Sequence, residues 1–228
     1  MPISLNNVSL EWPNGTSCFS DLNAIFSSHL TGLIGDNGSG KTTLIRVILG
    51  ELQPSTGSVE RPSKVAYLPQ DLGLQPDTTV SDVFGVTEII EAINAVEGGQ
   101  FNPELFELIG DRWDAAEETQ AVLSAHGLPL NLDRPLSTMS GGEAVRVALA
   151  ALMSDNPDFI VMDEPTNNLD SEAKAQLIHS LSKSTVPAIV VSHDRDLLDS
   201  VDEIAELHDG KLRLFPGNYS AYRETLAS

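Results

Sequence analysis

The sequence predicts an α/β fold with a mostly parallel sheet, into which a helical segment is inserted. Three observations carry this. Short apolar strands alternate with apolar-periodic helices at 30–49 and again at 159–191, as strands joined by helical crossovers do. The run Phe159-Ile160-Val161-Met162 is continuously apolar behind the turn-prone Asn156-Pro157, the pattern of a parallel strand buried on both faces. Between the two alternating parts, residues 80–154 read as helical.

In chain order, Ile3, Leu5 and Leu10 alternate, Pro13-Asn14-Gly15 turns the chain, and Leu30 to Ile34 forms a strand. A glycine-rich loop leads into a helix over Thr43 to Leu49, which Gly50 stops. Pro54 to Gly57 is a turn, and Lys64 to Leu68 is a short strand. Within the helical segment, Trp113-Asp114 opens a helix that Gly127 ends, and Ser140 to Met153 is a strong helix. Helix 171–183, strand Ala188 to Val191, and a hairpin over Glu203 to Phe215 turning at Asp209-Gly210 complete the pattern.

Composition limits the function classes. The chain has 228 residues with 41% hydrophobic side chains, the composition of an ordinary soluble globular protein large enough to bury its core without staples. Cys18 is the only cysteine, so no internal disulfide is possible and a reducing, cytoplasmic setting is expected. No apolar run reaches the roughly 18 residues a membrane span needs, and MPISLNNVSL lacks the features of a signal peptide. The formal charge is −20, and no two of the 13 basic residues are adjacent; direct nucleic-acid binding, which needs basic stripes, is not expected. Residues 71–120 hold twelve acids against Arg112 alone, which reads either as a solvated helical surface or as a docking face for a basic partner.

Three motifs carry chemistry. Gly35-Asp36-Asn37-Gly38-Ser39-Gly40-Lys41-Thr42 matches G-x-x-x-x-G-K-[ST] between a strand and a helix. By chance this pattern should arise in under about one chain in fifty of this length. Its glycines would let the backbone wrap a phosphate, Lys41 would reach the β- and γ-phosphates, and the Thr42 hydroxyl would ligate Mg²⁺. Asp163 and Glu164 end the buried strand, so they arrive at the carboxyl edge of the sheet, where ligands of open α/β folds bind. Asp163 would hold Mg²⁺ through water, and Glu164 would orient or deprotonate the attacking water. Ser140-Gly141-Gly142-Glu143 contains an S-x-x-E capping box. The box accounts for Ser and Glu but not for two consecutive glycines, which cost roughly 1 kcal/mol each in a helix interior relative to Ala; at a helix start they read as a second anion site.

The phosphate loop, Tyr67-Leu68-Pro69-Gln70, Ser140-Gly141-Gly142-Glu143, Asp163-Glu164, Asp170 and His193, in that order, resemble an ATP-binding cassette (ABC) ATPase domain over essentially the whole chain. The resemblance implies a P-loop NTPase core with an N-terminal antiparallel β-subdomain and an inserted helical subdomain. Residues 1–79 and 155–228 would form the core and β-subdomain, and 80–154 the helical subdomain. It implies ATP as substrate with Mg²⁺, held by Asn37, Gly38, Ser39, Gly40, Lys41, Thr42 and Thr43. Gln70 would contact Mg²⁺ and the attacking water, Asp170 would be the D-loop aspartate, and His193 the switch histidine at the γ-phosphate. Trp12 would lie under the adenine, and Ser140 to Glu143 would meet ATP across a dimer interface.

Glu164-Pro165-Thr166-Asn167-Asn168-Leu169-Asp170, Val191-Ser192-His193-Asp194-Arg195 and Gly217-Asn218-Tyr219-Ser220-Ala221-Tyr222 resemble the ABC-F branch, whose members lack membrane spans and mostly act on ribosomes. That resemblance implies that 217–228 begins a linker to a second cassette, that the partners are another cassette, in the same polypeptide or on another chain, and the ribosome, and that the role is linked to translation or antibiotic resistance. The ATPase subunit of a membrane transporter and a non-catalytic nucleotide-gated interaction module are the alternatives. The acidic stretch 71–120 and the short interval from Gln70 to Ser140 depart from the ABC-F pattern.

Overall fold

The computed structural model describes residues 1–72 and 75–227. Gly73 and Leu74, which fall in the expected core segment and acidic stretch, and Ser228, at the end of the expected linker start, lie outside the described residues. The chain divides into two compact units, one formed by Met1–Gln70 with the chain from Asn156 onward, the other by Asp71–Asp155.

The first unit is built on two sheets. In the three-stranded antiparallel sheet, β1 (Ile3–Glu11) lies between β2 (Ser17–Phe26) and β4 (Thr56–Glu60). The second sheet is six-stranded and includes β3 (Leu30–Ile34), β5 (Val65–Leu68), β6 (Phe159–Asp163), β7 (Ala188–Val191), β8 (Glu203–His208) and β9 (Lys211–Pro216). Its order is β5-β6-β7-β3-β8-β9, parallel except where β9 returns as a hairpin on β8. Helix α1 (Lys41–Leu49) buries Leu44, Ile45, Val47 and Ile48 in one cluster with Phe19, Phe26, Phe159 and Ile189. Each such side chain contributes about 1.5–3 kcal/mol of hydrophobic stabilisation, so both sheets and α1 hold one another in place.

Register decides what meets at the sheet edge. Val191, the last residue of β7, is paired with Leu33 of β3 on one side and with Asp163 of β6 on the other. On β5, Leu68 pairs with Met162. Parallel strands in this register release their following loops on one side. The phosphate loop after β3, the carboxylates at the end of β6, His193 after β7 and Gln70 after β5 therefore leave the same sheet edge.

The second unit comprises α2 (Val80–Val83), α3 (Thr87–Glu97), α4 (Pro103–Ile109), α5 (Ala115–Ala125) and α6 (Gly141–Ser154), with a 3₁₀ turn over Leu136–Thr138. Val80, Leu123, Leu128, Leu132, Leu136, Val147 and Ala150 form its core. It begins before Val80 because the Val80 and Ser81 amides bond to the Arg134 and Leu132 carbonyls at 3.2 and 2.9 Å, and Leu136 N bonds to Thr78 O at 2.9 Å. Thr79 and Asp82 close a capping box on α2. Among the described residues no helix is long and apolar enough to cross a membrane.

Three elements go beyond the sequence pattern. Strand β4 takes in Thr56 and Gly57, the second half of the turn expected over Pro54 to Gly57, and its one apolar signal is Val59; pairing with β1 (Leu5 opposite Val59) makes it a strand. The turn after His193 contains a short helix, α8 (Arg195–Leu198), whereas the helix expected over 171–183 is present as α7 (Ser171–Lys183). The last stretch holds α9 (Tyr219–Ala227), where Tyr222 packs edge-on against Phe215 at 5.0 Å and donates to Glu206 Oε1 at 2.6 Å.

Candidate functional site

The phosphate-loop motif folds as a turn that hands β3 to α1. Gly40, at the N-cap of α1, adopts φ 100°, ψ 14°, and no side chain caps the helix. The first-turn N–H groups of α1 are thus left for a ligand, at the positive end of the helix dipole. Lys41 folds back over the loop and donates to the carbonyls of Gly35 at 2.6 Å and Asp36 at 2.9 Å. A Cβ on Gly35 would stand 2.4 Å from the Leu207 carbonyl oxygen and 2.7 Å from Ser39 Oγ, so the loop closes tightly on β8 there. Ser39 Oγ is buried without a hydrogen-bond partner among the described residues. Such a group costs about 1–3 kcal/mol, a penalty that an acceptor oxygen in the loop would relieve. The residues therefore fit a phosphate group.

The carboxylates stand beside this loop. Asp163 ends β6 and is half-buried; burial raises its pKa, and the Lys41 charge opposes the rise. Glu164 follows with φ 47°, a left-handed conformation that non-glycine residues rarely adopt, held by its N–H bond to Val191 O at 2.8 Å. Burial raises its pKa also, against the lowering influence of His193. His193 Nε2 lies 3.3 Å from Glu164 Oε1. Lys41 completes the group: desolvation lowers its pKa, while Glu164, Asp36 and Asp163 pull it upward. Four of the sequence-predicted residues, Lys41, Asp163, Glu164 and His193, are thus brought into one electrostatic cluster.

The others are placed as follows. Asn37, Gly38 and Thr42 are exposed and Thr43 half-buried on the loop and first turn. Gln70 is exposed two residues beyond β5. Trp12 is 38% exposed in the turn joining β1 and β2, where its N–H bonds Thr16 O at 2.8 Å. Neither Trp12 nor Gln70 is joined to the cluster by a hydrogen bond among the described residues. Asp170 is the N-cap of α7, its Oδ1 accepting from Ala173 N at 2.8 Å. In the second unit, Ser140 caps α6 by accepting from Glu143 N at 3.2 Å, with Gly141 exposed and Gly142 buried. The expected S-x-x-E box forms only by half. Glu143 pairs instead with Arg134 Nη1 at 3.3 Å, because Arg134, anchored on Thr138, offers a charged donor that outcompetes the backbone N–H.

Sequence reasoning did not single out the Gly35 and Asp36 carbonyls that hold Lys41, nor Cys18, whose Sγ would lie 3.0 Å from a Cβ on Gly40. Backbone acceptors and a neighbour from another sheet leave no signal in a motif. Among the described residues no group of three or more His, Cys, Asp and Glu side chains is gathered that could hold a metal ion. Asp163 and the Thr42 hydroxyl are the donors near the loop, which suits Mg²⁺, an ion bound through one or two protein oxygens plus phosphate.

The family model described as ABC transporter matches residues 23–167. The chain is 33% identical over 218 residues to ABC transporter F family member 5 of Arabidopsis thaliana, covering 84% of this chain and 32% of that protein. It is 37% identical over 212 residues to the tylosin resistance ATP-binding protein TlrC of Streptomyces fradiae, covering 82% of this chain and 39% of TlrC. With the energy-dependent translational throttle protein EttA of Mycobacterium tuberculosis it shares 32% over 216 residues, 86% of this chain and 38% of EttA. The chain thus spans well under half the length of these relatives. Among solved structures, a nucleotide-free ATP-binding cassette from an ABC transporter superposes with a TM-score of 0.77 at 20% identity, covering 100% of this chain and 96% of that one. A dimeric bacterial ABC transporter cassette gives 0.67 at 22% identity, covering 94% and 98%. At these identities the structures speak for the fold.

Proposed function

The chain belongs to the ABC transporter family, whose cassettes are ATPases, and on that premise we propose that it binds Mg²⁺·ATP on residues 37–43 and hydrolyses it with Glu164 and His193. The observation that carries this reading is the Glu164–His193 pair at 3.3 Å, set beside Lys41 at the same sheet edge as the phosphate loop.

Each residue has a physical task. Lys41 exchanges the Gly35 and Asp36 carbonyls for β- and γ-phosphate oxygens. Glu164, raised in pKa by burial, is a stronger base than a solvated glutamate and takes the proton of an in-line water. His193, held against Glu164, and Lys41 stabilise charge on the transferred phosphoryl group. Mg²⁺, held by Thr42, Gln70 and, through water, Asp163, would neutralise phosphate charge. Trp12 offers its exposed indole to the adenine. Ser140, Gly141 and Gly142 of a second cassette would close over the γ-phosphate, with Asp170 at the interface. Binding then closes a pair of cassettes and hydrolysis opens it, so that ATP times a conformational signal.

Similarity to ABC transporter F family member 5, TlrC and EttA supports an ABC-F type role in the cytoplasm, acting on the ribosome in translation or antibiotic resistance, over the transporter-subunit reading. The test is Glu164→Gln, which keeps shape and removes the base. ATP turnover should fall on the order of 10²–10⁴-fold while ATP binding persists and a closed dimer accumulates in size-exclusion runs. At −20 per chain, repulsion acts over a Debye length of about 8 Å at physiological salt, so moderate salt should favour pairing. Turnover at the wild-type rate in Glu164→Gln removes Glu164 from the chemistry; wild-type protein that binds no ATP ends the reading.

A further inference from the structure

The turn after β7 carries His193 and, directly after it, Asp194, whose carboxylate is held by three donors. Oδ1 accepts from Asp196 N at 2.9 Å and Leu197 N at 3.3 Å, capping α8. Oδ2 accepts from Lys174 Nζ at 2.6 Å. The Asp194 N–H donates in turn to Ser192 Oγ at 3.0 Å, and Ser192 is 1% exposed. Lys174 is the fourth residue of α7, one residue past the Ala173 amide that caps onto Asp170. It also reaches Asp196 Oδ2 at 3.5 Å, but that side chain is 77% exposed against 17% for Asp194.

These contacts close a ring. From Glu164 the chain runs through residues 165–170 into α7, crosses from Lys174 to Asp194, steps back one residue to His193, and returns from Nε2 to Glu164 Oε1 at 3.3 Å. The His193 side chain is 56% exposed, so little packing holds it; its placement depends on the turn that presents it. The short, charge-assisted bond is well formed on both sides. Asp194 holds the Lys174 ammonium above the ordinary lysine range; burial pushes the Asp194 carboxyl up, but the bonds from Lys174, Leu197 and Asp196 outweigh it. Lys174 and Asp194 are both half-buried, and what their bond adds beyond a modest stabilisation is a fixed geometry between α7 and the His193 turn.

We propose that Lys174 is a positioning residue for hydrolysis: its ion pair with Asp194 fixes the His193 turn against the segment that begins at Glu164. The proposal rests on the roles given to Glu164 and His193 above. Its test uses Lys174→Met, Lys174→Arg, Asp194→Asn and Asp196→Asn. Asparagine at 194 keeps an Oδ1 acceptor for the α8 cap while turning an amide NH₂ toward Lys174, which separates the bridge from the cap. Two readouts are taken: the His193 imidazole NMR signals of the nucleotide-free chain, assigned by their loss in His193→Gln, and steady-state ATP hydrolysis. Lys174→Met and Asp194→Asn should shift or broaden the His193 signals and lower kcat on the order of tenfold, with KM for ATP within about twofold, as misplacement of a reacting group does. Lys174→Arg should restore most of both, and Asp196→Asn should match the wild type. Unchanged His193 signals in Lys174→Met overturn the proposal, as does a kcat loss matched by an equal rise in KM or left unrescued by arginine. If the wild-type chain does not hydrolyse ATP, the ATPase reading falls, and the imidazole signals alone decide the positioning.

Discussion

Gly35→Ala puts one methyl group into the tightest point of the phosphate loop. The new Cβ would stand 2.4 Å from Leu207 O and 2.7 Å from Ser39 Oγ, whereas carbon contacts settle near 3.5–4.0 Å, so the loop must move by about 1 Å. The Leu207 oxygen cannot yield easily, because β8 is paired with β3 on one side and with β9 on the other, Leu207 facing Leu212. The Gly35 carbonyl that receives Lys41 Nζ at 2.6 Å must therefore shift instead. Overpacking of this kind costs about 1–3 kcal/mol. At about 2–4 °C per kcal/mol for a chain of this size, Tm should fall by about 2–12 °C. Loss of loop geometry should weaken ATP binding on the order of tenfold. At ATP equal to 100 times the wild-type Kd, ligand stabilisation is about 2.7 kcal/mol, and a tenfold weaker Kd reduces it to about 1.4 kcal/mol. Differential scanning fluorimetry with and without Mg²⁺·ATP reads both effects, and calorimetry gives the affinity directly. A Gly35→Ala chain that melts with the wild type and binds ATP equally well would show that the loop is not closed on β8 as described.

Stability should also depend on pH through the buried carboxylates. Asp163 and Glu164 are held above the ordinary carboxylate range by burial. The folded chain therefore keeps protons that the unfolded chain loses near pH 4, and stability present below that pH is lost as pH rises through the folded-state values. Glu164→Gln should melt higher than wild type at pH 7, with the gap closing toward pH 4; a gap that is constant or reversed contradicts the burial argument. For Trp12, ATP should quench or shift tryptophan fluorescence, and Trp12→Ala should remove most of that response, since Trp113 lies in the second unit against Phe106 at 5.9 Å. A response that survives in Trp12→Ala moves the base platform elsewhere.

Much of the fold is legible in the sequence. The strands at 30–34 and 159–163, the helix at 171–183 and the hairpin at 203–216 announce themselves by apolar period and by Gly and Asn-Pro punctuation, which are local. The same holds for the loop 35–42 and for Asp163-Glu164, whose residue types are a glycine-rich turn between strand and helix and a pair of carboxylates at a strand end. Strand β4 was not legible, because TGSVE has one apolar side chain and becomes a strand only through β1. Helix α9 was not, because Tyr222 is its only buried residue and needs Phe215 and Glu206 to fix it.

From the residues alone come the alternation of the main strands and helices and the capping role of Ser140, since these depend on neighbours within about four positions along the chain. Tertiary structure alone decided which motifs meet. Pairing of Val191 with both Leu33 and Asp163 places the loop, the carboxylates and His193 at one edge. Arg134 draws Glu143 out of its capping box, and Lys174 reaches Asp194 across 20 residues of chain. Hydrogen bonds and charge act over a few ångströms of space whatever the separation in sequence, so a strand order and a register were needed before any of these partners could be known.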